Sequence, residues 1–471
     1  MRTFVSILRD SFREAVDGFV IYIMLAISVL TIIVVACIGY QPADAEVQLT
    51  KSIKGFAVFI PDKGESKAIS AVPGVQYEAT SIKVNGKDVL FDLEVTSKLD
   101  PGILKAGFPE PFRTAVAGWM KKPYKSEKRK IPPGVLRGGR AGGDTSSDAT
   151  LKELEIALAP EVSAEEAAAI TDDQMIEFIK SQFAAHYGCT DVKVRRRSIP
   201  ETGKYIFEIE AINLRGSRGW GHSLSFLHWS LGSSGDTPLG LVVYVIEDVL
   251  VNGIGGAVLL LISVILTSFF IPNMLRKGTL DLVVSKPVGK VQYLIYKYLG
   301  GLIFITIVSS ITIGGVWFVI GIRSGMWDPR FLITIPALVL SFALLYSFST
   351  LIAVLTRSAI ASMLLTIAFT FGLWLVGYIK KQLDVAKAMG EGDLEGVSSV
   401  FDIFNNVLPR YKDLDKLTSK VTSEGTYTPI LLRFQDMIIE PPSYVGVLGI
   451  TFAYIGGFLA LASWRHATRD G

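Results

Sequence analysis

Six windows of the chain are long enough and apolar enough to cross a membrane, and they restrict its fold more than any other feature. None of them contains Asp, Glu, Lys or Arg. A bilayer core about 30 Å thick needs about 20 such residues in a helix, which satisfies its own backbone polar groups. We therefore predict transmembrane helices over residues 18–40, 249–272, 298–322, 331–355, 358–379 and 444–464.

Composition excludes several classes of protein. Half of the 471 residues are hydrophobic, only 19% are charged, and the mean hydropathy is +0.42. This is too apolar for a disordered chain, a collagen or a soluble enzyme. The 47 basic residues nearly balance the 44 acidic ones, and a net charge of +3 gives no reason to expect nucleic acid as a partner.

Basic residues close to the ends of the windows predict the orientation of the chain. The link of residues 273–297 carries five basic residues against the single acid Asp281, Arg357 lies between the fourth and fifth windows, and Arg465 and Arg469 follow the sixth. All three segments should face the cytoplasm. We therefore predict a multi-pass protein of the plasma (inner) membrane with both termini cytoplasmic. The tail is 465–471, and the segments outside the cell are 41–248 and 380–443.

The first 17 residues precede the first window and have helical spacing, with Phe4, Leu8 and Phe12 on one face and charged side chains on the other. This pattern predicts an amphipathic helix in the cytoplasmic membrane interface, with a soluble cap as the alternative. Cys37 and residues 43–45 resemble processing sites of cleaved signals. The apolar run before them is longer than a signal, which favours a retained helix.

The segment between the first two windows, about 200 residues, is large enough for one core. Strand-like runs and two helix starts with capping boxes, Ser163 with Glu166 and Thr171 with Gln174, predict an inserted α+β extracytoplasmic domain. The basic stretch 121–148 is typical of a mobile loop and could also contact an anionic lipid or polymer. The strand-like runs are 55–60, 89–96, 153–158, 191–197 and 205–212.

Chemistry-bearing motifs are missing from the sequence. Cys37 and Cys189 are not expected to form a disulfide, and the four histidines have no metal-ligand spacing. We find no nucleophile elbow, metalloprotease motif or phosphate-binding loop, so we predict that the chain is not an enzyme and holds no cofactor of its own. Spans without ionisable residues also disfavour an ion-coupled carrier or channel. If ATP drives this protein, another chain must bind it.

The link between the second and third windows is where such a chain could dock. Its apolar residues alternate with basic ones between Pro272 and Pro287, which suits a short helix against the membrane and a partner. An ordinary basic inner loop explains the same pattern.

The link resembles that of the membrane (permease) subunits of ATP-binding-cassette exporters, in the ABC type-2 permease family. The resemblance lies in Gly278-Thr279, in the apolar run 282–284, in Ser285-Lys286-Pro287 and in Lys290. It extends to Tyr296-Lys297 and to Leu408-Pro409-Arg410, and it covers the six windows but not the outside domain. The family's acidic residue before the Gly-Thr pair is missing, and either Asp281 or Lys286 could replace it.

The resemblance implies that two permeases, as a homodimer or a pseudo-symmetric heterodimer, assemble with two cytoplasmic cassette ATPase subunits that bind ATP and Mg. Gly449, Ala453 and Gly457 in the sixth window have the spacing of a helix-packing stripe, which could join protomers or pack within one chain. The residues expected to couple to the ATPase are Arg276, Lys277, Gly278, Thr279, Asp281, Ser285, Lys286, Pro287, Lys290 and Lys297.

Two functions stay open at this point. The first is an exporter permease, and the second is a non-transporting membrane-anchored sensor or scaffold that uses its extracytoplasmic domain. The transported substrate cannot be read from the windows, because apolar faces must contact lipid in either case. Polar residues within the windows could line a path or join helices. They are Ser309, Ser310, Thr312, Ser347, Ser349 and Thr366.

Overall fold

The carboxyl-terminal half of the chain is helical, whereas the strands that the structure describes all lie between residues 38 and 238. The computed structural model thus shows a mostly helical protein with a separate α/β region. It describes residues 7–9, 13, 16, 19–54, 57–61, 66–71, 75–97, 110–121, 125–131, 152–158, 162–197, 203–227, 229–230, 237–251, 254–269, 271–272, 289–388, 408–409, 411–429, 431–432 and 443–468.

The elements within these residues follow in chain order. The helices are α1 (Val20–Ala36), α2 (Ala45–Lys54), α3 (Pro111–Met120), α4 (Ala164–Ala168), α5 (Asp172–Tyr187), α6 (Leu239–Val251), α7 (Ile254–Thr267), α8 (Lys290–Ser324), α9 (Thr334–Thr356), α10 (Ala359–Ala388), α11 (Tyr411–Thr426) and α12 (Tyr444–Thr468). The strands are β1 (Ile38–Pro42), β2 (Ala57–Pro61), β3 (Ser66–Ala71), β4 (Val75–Asn85), β5 (Asp88–Ser97), β6 (Lys125–Ile131), β7 (Lys152–Leu158), β8 (Val192–Arg197), β9 (Lys204–Ala211), β10 (Gly221–Phe226), β11 (Trp229–Ser230) and β12 (Thr237–Pro238).

Four helical stretches among the described residues are long and apolar enough to cross a membrane. They coincide with the last four predicted windows and support a membrane-embedded protein. Helix α1 is also apolar but has 17 residues, and α7, within the second window, has 14. The count of six spans and their orientation therefore stay predictions. The four stretches are Lys290–Ser324, Pro329–Thr356, Ala359–Ile379 and Tyr444–Thr468.

Hydroxyl groups join α1 to α8 and α9 to α10. The hydroxyls of Ser28 and Thr312 lie 2.7 Å apart, and those of Ser349 and Ser362 lie 2.9 Å apart, all four side chains being buried. Lipid offers no hydrogen-bond partner, so such pairs help to hold membrane helices together. Other polar residues of the predicted windows donate to carbonyls of their own helix, namely Ser310, Ser347 and Thr366.

Helix α8 also packs closely against α9. The Tyr298 hydroxyl donates a hydrogen bond of 2.8 Å to the Ala343 carbonyl, and its ring stacks on Tyr346 with centroids 5.2 Å apart. Gly301 faces the Tyr346 ring so closely that a Cβ atom there would overlap it. A small residue at this position lets the two helices approach each other.

The α/β region, which is predicted to be extracytoplasmic, is built on an antiparallel sheet in the order β4-β5-β9-β8. Strand β8 alternates buried and exposed residues at its start, and every second residue of β9 is buried, as expected when one face of a sheet covers a core. Phe112 on α3 sits at the centre of that core, with the rings of Tyr205 and Phe207 on β9 at 5.5 and 6.1 Å and Phe178 on α5 at 6.0 Å.

Both predicted helix starts in this region are confirmed. The Ser163 backbone N–H donates to Glu166 over 2.9 Å, the Thr171 backbone N–H donates to Gln174 over 2.9 Å, and Gly188 ends α5 with φ of 68°. Strands β2, β5, β7, β8 and β9 lie on the five strand-like runs. The loop prediction for 121–148 is wrong over β6, because the backbone of Lys125–Ile131 is extended and pairs antiparallel with β7.

We expect Phe112→Ala to lower the free energy of unfolding of the extracytoplasmic region by roughly 3–5 kcal/mol, because it leaves a cavity among several rings. Val84→Ala, at a side chain that is 46% exposed, is the matched control. Urea-dependent proteolysis of the full-length protein in detergent measures the difference. Equal protease resistance of the two variants would contradict the core described above.

Candidate functional site

The α/β region is joined directly to the ends of several apolar helices, which the predicted orientation places on the outer side of the membrane. Strand β1 begins two residues after α1 ends and pairs antiparallel with β10, from Ile38 opposite Phe226 to Pro42 opposite His222. Arg323, in the last turn of α8, donates from both Nε and Nη2 to the Ile38 carbonyl, each over 3.1 Å. The end of α8 and the first strand of the domain therefore share a charge-assisted contact.

A second contact joins the domain to α6 and α11. The backbone N–H groups of Leu239 and Gly240 donate to the carbonyls of Trp220 and Arg218 over 2.9 and 2.8 Å. Gly240 also lies against the Thr426 carbonyl, in a position that leaves no room for a Cβ atom. These bonds satisfy the first N–H groups of α6, which have no partner within their own helix.

Arg218 binds the carboxyl end of α11. Its Nη1 donates to the Gly425 carbonyl over 2.9 Å and lies 3.5 Å from the Tyr427 carbonyl. A cation at this end of a helix interacts favourably with the helix dipole and satisfies carbonyls that lack helical partners. We refer to Arg218, Trp220 and the elements they contact, α6 and α11, as the outer junction.

Glu247 is buried in the outer junction, and the half-buried Asp328 has one buried oxygen atom. Glu247 on α6 is 3% exposed, and its Oε2 has no hydrogen-bond partner within the described part of the chain. Asp328, in the connection between α8 and α9, accepts a hydrogen bond of 3.2 Å at Oδ1 from the Arg330 backbone. Its Oδ2 is buried without a partner among the described residues and lies against Gly425.

A third buried oxygen belongs to Tyr40 on β1, whose hydroxyl likewise lacks a partner among the described residues. Electrostatic interactions link Tyr40 to both Glu247 and Arg323. Burial raises the pKa of Glu247 well above its ordinary value, and the charge of Asp328 raises it further. Such a site can hold a carboxyl group in its neutral, proton-donating form.

The neighbouring acid Asp248 is in a different environment. It is half-buried, and its Oδ1 accepts a hydrogen bond of 2.7 Å from Ser419 on α11. One turn earlier on α6, Tyr244 packs edge-on against Tyr427 with ring centroids 4.9 Å apart. Of the two consecutive acids, only Glu247 therefore carries a buried oxygen without a partner among the described residues.

The predicted coupling segment lies mostly outside the described residues. This applies to Arg276, Lys277, Gly278, Thr279, Asp281, Ser285, Lys286 and Pro287. Lys290 is exposed at the start of α8, whereas Lys297, two turns later, is 3% exposed and has an interaction partner. Lys297 is thus a buried lysine near the start of α8.

The predicted packing stripe Gly449, Ala453 and Gly457 lies on an exposed face of α12. A Cβ atom added at Gly449 or Gly457 would meet nothing within 4 Å. The stripe therefore does not pack against the described part of its own chain.

Sequence reasoning missed Glu247 and Asp328. The second apolar window was begun at Val249, two residues after Glu247, although the apolar helix α6 starts at Leu239. An acid inside an apolar helical run was the available signal. Asp328 gives no such signal, because it lies in the short connection between two apolar helices, where an acidic residue is common.

The chain matches no family, no curated protein and no solved structure among known proteins. Within the described residues, no group of three or more His, Cys, Asp and Glu side chains is placed to hold a metal ion.

We expect Gly425→Ala to destabilise the outer junction by about 1–3 kcal/mol, because its methyl group would displace the Asp328 carboxylate. Gly372→Ala on α10 is the matched control, since a Cβ atom there meets nothing within 4 Å. Thermal unfolding of both variants in the same detergent measures the difference. An unchanged unfolding temperature for Gly425→Ala would contradict the tight packing of Asp328.

Proposed function

We propose that the chain is the permease subunit of an ATP-driven exporter of the ATP-binding-cassette type. It forms the membrane pathway with a second permease copy. Transport is driven by ATP hydrolysis in a separate ATPase chain, which binds ATP and Mg. The observation that carries this proposal is the continuity of α8, which runs from the basic link to the outer junction.

Helix α8 is long and is held along its length, so a displacement at one end can be transmitted to the other. Its 35 residues, at about 1.5 Å each, span about 52 Å. Lys290, within the link of residues 273–297, begins the helix, and Arg323 bonds to the domain in its last turn. Between these ends the helix is held by Ser28 on α1 and Ala343 on α9. A displacement of the inner end should therefore reach the domain.

The link supplies the inner contact of this mechanism. Its resemblance to permease coupling segments supports an ATPase partner that contacts Ser285-Lys286-Pro287. The burial of Lys297 supports a fixed position for the first turns of α8. Closure of two ATPase subunits on ATP would push on the link. The inner ends of the spans would then move, and α8 would carry the change outward.

The exposed stripe on α12 supports assembly with a second permease. A single chain with few spans encloses little space, and small residues at steps of four allow two helices to approach closely. Gly449, Ala453 and Gly457 are free of contacts with the described part of their own chain, so they are available to a partner or to lipid.

A membrane-anchored sensor or scaffold is the second candidate. Helix α8 could also transmit a movement of the domain to the cytoplasmic side. The domain has its own core and is hydrogen-bonded to the ends of α6 and α8. Deletion of residues 46–236 separates the two functions. An exporter should still associate with its ATPase, whereas a sensor should lose all function.

We expect the double change Lys286→Ala and Pro287→Ala to uncouple ATP hydrolysis from transport while the protein stays in the membrane. The reason is that the link would lose its charged contact and its rigid turn. Lys83→Ala, an exposed lysine of the extracytoplasmic domain, is the control. Affinity purification from the native membrane, followed by ATPase and flux assays, measures the effect. Complexes that never contain a cassette ATPase would contradict the proposal.

A further inference from the structure

Strand β10 runs back to the end of α1 and turns there. It pairs antiparallel with β1, and the register sets Phe226 opposite Ile38, the first residue of β1. The Leu227 backbone N–H then donates over 3.2 Å to the carbonyl of Cys37, which caps the end of α1. Strand β11 leads away again, with Trp229 opposite Phe226. We refer to Phe226, Leu227 and Trp229 as the hairpin tip.

The hairpin tip also lies beside the end of α8, which is one of the four stretches long and apolar enough to cross a membrane. Arg323, in the last turn of α8, donates from two nitrogen atoms to the Ile38 carbonyl, each over 3.1 Å. A Cβ atom added at Gly39 would overlap the Ser225 side chain on β10 and would lie 3.7 Å from Nη2 of Arg323. The end of β10, the start of β1 and the last turn of α8 are therefore neighbours.

Aromatic residues cluster at this end of α8. Trp327, three residues after the helix ends, is exposed, and its ring packs edge-on against Trp317 and Phe318 with centroids 5.2 and 5.8 Å apart. The Trp317 Nε1 donates to the Asp328 carbonyl over 2.9 Å. Tryptophan is enriched where membrane helices pass from hydrocarbon to headgroups, because its ring is apolar and its N–H is polar. This end of α8 therefore has the residues expected at a membrane interface.

The hairpin tip exposes large apolar side chains at the same place. Trp229 is 80% exposed and Leu227 is 59% exposed. Ile33 and Val34, in the last turn of α1, are exposed as well. A single exposed apolar side chain is ordinary on a protein surface, but these residues follow one another from the helix onto the hairpin. The exposed apolar surface of α1 thus continues onto the α/β region.

The sequence around the hairpin tip carries no charged side chain. Residues 221–235 contain no Asp, Glu, Lys or Arg, whereas residues 191–210 of the same region contain nine. A charged group would lose much of its hydration if it entered the edge of a bilayer, and the loss costs free energy. The hairpin can therefore approach lipid without that cost.

We propose that the hairpin tip inserts into the lipid interface on the side of the α/β region, with Trp229 and Leu227 among the headgroups. The partner of this apolar surface is the lipid of the same bilayer, because the tip lies where α1 and α8 end. Insertion gives the α/β region a second attachment, in addition to the protein contacts of the outer junction. It requires only that α8 spans the membrane, so it holds for an exporter and for a sensor.

A nitroxide label at Leu227→Cys tests the proposal in the full-length protein in lipid nanodiscs. The native Cys37 and Cys189 are replaced by alanine, so that the label has one position. Power-saturation electron paramagnetic resonance measures how often the label collides with O₂, which concentrates in lipid, and with a nickel chelate, which stays in water. The ratio of the two collision rates reports the depth of the label.

Two reference labels calibrate this ratio. Ile311→Cys is exposed near the middle of α8 and gives the value for lipid. Gln76→Cys is exposed at the start of β4 and gives the value for water. The other end of β4 lies about 30 Å away at about 3.3 Å per residue, and Lys87 just beyond it approaches Gly325 at the end of α8. The ratio at Leu227 should fall between the two references.

Trp229→Ala should move the Leu227 ratio towards the water reference, because it removes the largest side chain that enters the lipid. Met120→Ala, at an exposed apolar side chain that ends α3, is the matched control and should leave the ratio unchanged. Both changes are at exposed positions, so neither should disturb the fold.

Tryptophan fluorescence keeps the test decisive if Leu227→Cys does not fold. The chain has seven tryptophans, and the contribution of Trp229 is the fluorescence that Trp229→Phe removes. Lipids with brominated acyl chains should quench this contribution.

Three results would overturn the proposal. The first is a collision ratio at Leu227 equal to that at Gln76, which would place the hairpin tip in water. The second is protection of the label from both reagents together with spin–spin broadening, which would indicate that a second copy of the chain covers the tip. The third is a Trp229 contribution that brominated lipids leave unquenched.

Discussion

The close approach of α6 to α11 fixes the relation between the two parts of this protein. Gly240 lies against the Thr426 carbonyl, and a side chain larger than hydrogen cannot fit there. Because the two helices meet at this distance, Arg218 reaches the carbonyls at the end of α11, and Asp328 lies against Gly425. These contacts attach the α/β region to α6 and α11.

The bilayer explains where the polar groups of the chain are found. Several buried polar side chains of the apolar helices are small hydroxyls that bond to a neighbouring helix or to their own, such as Ser28 with Thr312. The buried Ser309 hydroxyl differs, because it has no hydrogen-bond partner among the described residues. Within α8, the lysines and arginine lie towards the two ends, with Lys290 and Lys297 near the start and Arg323 in the last turn.

Much of the local structure could be predicted from sequence because it depends on local physics. The capping box at Ser163, the end of α5 at Gly188 and the last four spans follow from hydrogen-bonding rules and hydropathy. The outer junction could not be predicted in this way. It brings together residues 40, 218, 247, 328 and 425, which are far apart in sequence, and no local pattern records their contact.

The short pattern around Glu247 also shows why the boundary of a span is hard to place. A window that excludes charged residues ends at the first acid, whereas the helix continues through it because a neighbouring element covers the side chain. Tertiary burial thus overrides the hydropathy rule at this position. The strand β6 was missed because its sequence is rich in basic residues, which are typical of a loop, although its backbone pairs with β7.

The contacts of Arg218, Gly240 and Arg323 predict that the α/β region and the adjoining ends of the apolar helices move as one body. Distance measurement between nitroxide labels tests it most directly, with Val84→Cys on the domain and Val445→Cys at the outer end of α12. Both side chains are exposed, and the native residues Cys37 and Cys189 would be replaced by alanine. We predict one narrow distance distribution in lipid nanodiscs that broadens when Gly425 is changed to alanine. A broad distribution in the parent protein would contradict the account.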